Sequence, residues 1–360
     1  MTHRKNCYAL RYTFGDLLRN TKKLFKTDMV KIVSKRNVFL FIQLFVCNFC
    51  FSQIYSQLSL SDTIAIHSKV FNAERKVIIT KPSNAKIDDK QSNYIVYMDA
   101  NDQNINGLFL QSANNLIANK EIPQSYLIGI IHKNRNTELL EKDKLLKFLK
   151  EELIPLLKDK YNNANQITIA GHSFGGYFAT YAFLKDNDLY NSCIAISPAY
   201  WPNKNDVIDL LLEKANLIRG NFYLAIGDKR WDEISLRNGV LKAQNILENQ
   251  KNIVFGFNEL KGFSHNATPT VGFGLGLSFI YDQWEWTNIL EEQEDNLKFF
   301  PEFWGHIEIK GDALFHLNRV SEAKLLYQEA LQNTSKDEKL SKSEMSEVLK
   351  RLREKIEKCG

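Results

Sequence analysis

Apolar positions along the chain alternate between two textures. Short β-branched or continuous runs at 63–66, 76–80, 94–98, 128–131, 166–170, 192–197, 222–226 and 253–257 read as strands. The run 94–98 is apolar at nearly every position, as in a strand buried on both faces of a sheet. Between these runs the spacing turns helical. Leu145, Leu146, Leu149, Leu153, Leu156 and Leu157 form one stripe within 139–161, and further helices are expected at 177–184, near 207–215 and at about 237–248. Strand alternating with helix predicts an α/β fold: a doubly wound, mostly parallel sheet with helices on both faces and ligands at the carboxyl ends of the strands.

The texture changes near residue 291, beyond which no strand-like run occurs. Residues 311–331 resemble one tetratricopeptide unit, small residues and aromatics recurring where paired helices touch. One unit cannot bury its face alone, so it is expected to pack on the main domain or on a last helix at 343–358, and it offers a place for a protein partner. The expected organisation is an N-terminal extension at 1–52, an α/β domain at 53–290 and a small all-α appendage at 291–360.

The N-terminus alters the reading of charge. Residues 37–51 are uncharged and strongly apolar behind Lys31, Lys35 and Arg36, the n- and h-regions of a secretory signal. The block is short for a membrane span and ends at Ser52, so cleavage is expected after Ser52, translation from Met29, and an exported product, periplasmic or secreted, with no stable span. Residues 1–52 hold ten of the 47 Lys and Arg and two of the 42 Asp and Glu. The remainder has 37 basic against 40 acidic side chains, net −3, which removes the electrostatic case for nucleic-acid binding. Beyond the leader only Cys193 and Cys359 remain, and that remainder has no CxxC or His-rich spacing. Neither a disulfide framework nor a metal site is indicated, and no cofactor is expected.

The candidate chemistry centres on Gly171-His172-Ser173-Phe174-Gly175, with a strand-like run before it and a helix-like run after it. In this setting G-x-S-x-G is a nucleophile elbow: a sharp strand-to-helix turn that lifts a serine hydroxyl clear of the sheet. A serine needs a base, and the base an orienting carboxylate, in the chain order Ser, acid, His. Three histidines follow Ser173, and His306 and His316 lie beyond residue 291. His265 lies in a loop just after the last strand, whereas His316 falls in the helical appendage. Residues 228–233, after the strand at 222–226, offer three carboxylates. Asp232 is favoured as the acid, several positions past the strand end, with Asp228 as the alternative. Oxyanion donors are expected from the backbone N–H of Phe174 and from the Ala100 loop. Tyr200, Trp201 and Trp231 would wall a cleft, where Arg135 could meet an anionic group.

Five stretches carry a family resemblance: 68–75, 97–100, 128–135 with Glu138-Leu139, 152–155 leading to the elbow, and Ser197-Pro198-Ala199-Tyr200-Trp201. Over about 62–285 the chain resembles the esterase D-like esterases of the α/β-hydrolase superfamily, which include S-formylglutathione hydrolases, siderophore trilactone esterases, feruloyl esterases and mycolyltransferases. The resemblance implies an α/β-hydrolase fold and a serine esterase of small-molecule esters, with Ser173 and His265 on the family's nucleophile and base. Two departures stand out: Ala100 where the family usually has Gly, and Arg230 at a loop position often acidic. A catechol-trilactone esterase is the narrower alternative. A catalytically inert scaffold that recruits partners is the alternative of another class.

Overall fold

The computed structural model describes residues 61–81, 93–161, 164, 166–229 and 232–360, without the side chain of Asp232. The expected signal sequence, with Met29 and Ser52, lies outside them, as do Arg230 and Trp231.

Eight strands form one sheet: β1 (Ser61–Ser68), β2 (Ala73–Thr80), β3 (Asn93–Tyr97), β4 (Ser125–Ile130), β5 (Ile167–His172), β6 (Ser192–Ile196), β7 (Gly220–Gly227) and β8 (Ile253–Leu260). Their order is β1-β2-β4-β3-β5-β6-β7-β8. The hairpin partners β1 and β2 are antiparallel, β2 is antiparallel to β4, and β3 to β8 run parallel. The helices are α1 (Gln103–Ala118), α2 (Arg135–Leu140), α3 (Lys142–Phe148), α4 (Ile154–Tyr161), α5 (Phe174–Lys185), α6 (Pro202–Lys214), α7 (Asp232–Glu248), α8 (Pro269–Ile280), α9 (Asp282–Phe299), α10 (Trp304–His316), α11 (Val320–Thr334) and α12 (Lys342–Lys358). A π-helical turn, Leu149–Leu153, joins α3 to α4.

Strand alternation divides the core between the two faces. Tyr94 and Val96 join one cluster with Leu145, Leu149, Phe178 and Val240, from the helices α3, α5 and α7 and the turn after α3. Ile95 and Tyr97 join the other, with Phe109 of α1 and Phe273 and Leu277 of α8. Burial on both sides explains the continuous apolar runs of β3, β5 and β6. A third cluster, including Leu290, Ile307, Tyr327, Val348 and Leu352, is built by α9 to α12. Helix α9 runs across residue 290, where the sequence suggests a boundary. Among the described residues no helix is long and apolar enough to cross a membrane.

Candidate active site

The turn between β5 and α5 has the geometry the pentapeptide requires. Ser173 takes φ 58°, ψ −120°, a conformation that side chains adopt only under strain. Gly171 makes the turn feasible, since a Cβ there would stand 2.2 Å from the backbone of Gly175. Phe174 is the first residue of α5, so its N–H belongs to the first helical turn, where backbone donors have no intrahelical acceptor.

His265 follows β8 and opens a short 3-10 turn. Its Nδ1 lies 3.3 Å from Oε1 of Glu233. The same oxygen accepts from the Ser197 hydroxyl at 2.6 Å, and the Thr268 hydroxyl donates to the His265 carbonyl at 2.8 Å. Ser197 and Thr268 are themselves 3.0 Å apart, so the histidine loop and Glu233 are tied into one cluster. The second oxygen of Glu233 is buried without a hydrogen-bond partner among the described residues.

Of the two expected acids, Asp228 makes other contacts and the Asp232 side chain lies outside the described residues, while Glu233 is the carboxylate found against His265. Asp228 accepts from the backbone N–H groups of Lys229 and Gly262, which fixes the loop. Asp232 is the first residue of α7. One residue further along, Glu233 falls on the buried face of that helix with Leu236, Val240, Ala243 and Leu247. Gly227 leaves room for it at the end of β7, where a Cβ would come within 3.0 Å of the Glu233 side chain.

A second link joins His265 to the elbow. His172 Nε2 lies 3.0 Å from the His265 carbonyl, and the two rings are 4.5 Å apart. Donation to a carbonyl places the His172 proton on Nε2. Burial, reinforced by His265, pushes the His172 pKa down to about 3, so the ring is neutral at pH 7. Among the described residues no hydrogen bond joins the Ser173 hydroxyl to His265; such contacts commonly tighten only with substrate bound.

Three further expectations are revised or refined. The Ala100 N–H donates to Ile130 at 3.0 Å and is spent on the sheet, because the backbone keeps pairing past the end of β3. The N–H groups beside it, on Asp99 and Asn101, make no hydrogen bond among the described residues. Tyr200 is core, not cleft: its hydroxyl meets that of Thr180 at 2.7 Å and burial pushes its pKa up. Its neighbour Trp201 turns the other way, 57% exposed, with its ring 5.6 Å from that of Phe174. Arg135 is bound to Asp99 by two hydrogen bonds, at 2.7 and 2.8 Å. His316 stacks on Trp286 at 3.9 Å, in the helical segment.

The family model described as "Putative esterase" matches residues 68–316. The chain belongs to this esterase family. As a member it is an ester hydrolase, and its sheet order and elbow are those of an α/β-hydrolase. Among solved structures, the esterase is similar to an IroE-like serine hydrolase from Shewanella oneidensis (15% identity, 76% of this chain and 99% of that one, TM-score 0.56). It is also similar to the siderophore hydrolase EstB from Aspergillus nidulans (16%, 62% and 96%, 0.54) and to the enterobactin esterase FES from Shigella flexneri (18%, 64% and 62%, 0.51). At these identities the likeness shows the fold. No curated protein matches the esterase.

Proposed function

We propose that the protein is an exported serine esterase that works through an acyl-enzyme on Ser173. The observation that carries the reading is the chain of contacts from Glu233 through His265 to His172, the residue beside Ser173, in the order Ser, acid, His. Ser173 Oγ attacks the ester carbonyl while His265 Nε2 takes its proton, and the same proton goes to the departing alcohol. Water then repeats the sequence on the acyl-enzyme and releases the acid.

Glu233 holds the tautomer with the proton on Nδ1. Its unpartnered buried oxygen favours the imidazolium that forms in each step, because a carboxylate without exposed surface gains from a nearby positive charge. The oxyanion is held by the Phe174 N–H and by a free N–H beside Ala100. Trp201, exposed next to Phe174, forms one wall of the substrate cleft.

Export rests on the N-terminal pattern, and a mature chain beginning at Gln53 is its check. Catechol-trilactone esters are the substrates to test first, since solved structures of the same fold include a siderophore hydrolase and an enterobactin esterase. The test is steady-state hydrolysis of short p-nitrophenyl esters by wild type and Ser173→Ala. The variant is expected to lose roughly 10⁶-fold in kcat, and turnover retained in it would exclude the mechanism.

A further inference from the structure

Arg135 touches both sides of the proposed oxyanion site. Its Nε and Nη2 hold the two oxygens of Asp99, and the same Nη2 lies 3.3 Å from the carbonyl oxygen of His172. Asp99 belongs to the turn that carries the free N–H groups and is 3% exposed, with φ 66°. His172 precedes the nucleophile, and the Phe174 ring centroid is 5.8 Å from the guanidinium carbon.

The segment bearing Arg135 is itself anchored. The His132 N–H donates to the Asn101 side chain at 3.2 Å, a second grip on the same turn. Glu138 accepts from Arg75 and from the N–H groups of Lys133 and Asn134, and meets His132 Nδ1 at 3.0 Å.

We propose that Arg135 is a positioning residue: it clamps the 99–101 turn against the elbow and sets the spacing between the two sets of oxyanion donors. This rests on the serine-esterase reading. A planar guanidinium satisfies both oxygens of a carboxylate and a third acceptor in one fixed geometry, which an ammonium cannot. Oxyanion donors must sit about 2.7–3.1 Å from the developing charge, so a small shift of one loop weakens transition-state binding and leaves substrate binding largely intact.

The guanidinium side chain is 35% exposed, and direct contact with an anionic substrate is the reading the experiment separates. Arg135→Lys and Arg135→Gln are compared with wild type on p-nitrophenyl acetate and on the anionic mono-p-nitrophenyl succinate. Fluorophosphonate labelling rates and Tm are measured alongside. The clamp predicts a kcat loss of roughly 10²-fold, equal for both esters, with KM changed by less than about threefold. Labelling slows by a similar factor, while Arg135→Lys keeps a Tm within a few degrees of wild type. Loss confined to the KM of the succinate ester, or unchanged kcat in Arg135→Lys, overturns it. Should Arg135→Gln not fold, Arg135→Lys decides alone. Failure of wild type itself to label would instead overturn the serine reading.

Discussion

The imidazole Nδ1 of His265 lies 3.3 Å from a Glu233 carboxylate that has no exposed surface, whereas Asp228 accepts from the backbone N–H groups of Lys229 and of Gly262 in the loop after β8. The contact ranks the three acids of this segment. Glu233→Gln keeps the shape but removes the charge that orients the ring, and kcat is expected to fall by up to about 10⁴-fold, the loss seen when a triad carboxylate becomes an amide. Asp228→Asn and Asp232→Asn should retain kcat within a few-fold. Steady-state kinetics of the three variants check this ranking, and a larger loss in Asp232→Asn than in Glu233→Gln would reverse it.

His172 links acidity to stability. Its folded pKa of about 3 lies below the ordinary 6.5. Between those values the unfolded chain binds a proton at this ring that the folded chain does not, so stability rises with pH across the window. The contribution is complete above about pH 6.5 and is lost as pH falls toward 3. Urea midpoints of wild type and His172→Asn from pH 7 to 4 are the measurement. The variant should show the shallower dependence, and parallel curves would speak against a buried neutral His172.

The elbow tolerates no added carbon at Gly171, where the Cβ would meet backbone rather than a movable side chain. Gly171→Ala is expected to abolish activity and lower Tm, because either the turn opens or β5 shifts against α5. A variant with wild-type kcat and Tm would contradict the described turn.

Glu138 and Arg75 are paired at 2.6 Å with 8% and 2% exposure. Burial works to raise the Glu138 pKa, but hydrogen bonds from His132 and Arg75 prevail and hold it well below the carboxylate range. Glu138→Gln leaves a buried guanidinium uncompensated and should cost about 3–5 kcal/mol in urea unfolding. Adding Arg75→Met should recover part of that loss, which a double-mutant cycle would read.

The sheet was legible because its strands are short apolar runs, β3, β5 and β6 buried on both faces, and pattern alone located all eight. Helix α1 escaped it: Asn and Gln are interleaved through 103–118, although Ile105, Phe109, Ala113, Leu116 and Ile117 make the buried face and Asp102 caps the start. Helix α8 escaped for another reason. Gly272, Gly274 and Gly276 argue against a helix by propensity, and packing against Ile194, Ile196 and Tyr223 overrides it.

At the site, Ser173 and His265 were singled out by motif and chain order, while Glu233 was passed over for its neighbours. A signal for it was present: counting back from Leu247, Ala243, Val240 and Leu236 at helical spacing reaches 233, not 232. Neither the closure of the Ala100 N–H on Ile130 nor the burial of Tyr200 has any mark in sequence, because both depend on how one loop lies against the sheet.

The central claim, that Ser173 carries the acyl group, is tested most directly by treating the folded protein with a fluorophosphonate and mapping the adduct by peptide mass spectrometry. The account predicts one modification, on Ser173, absent in Ser173→Ala and slowed in His265→Ala. An adduct on another residue, or no adduct on active wild-type enzyme, would contradict it.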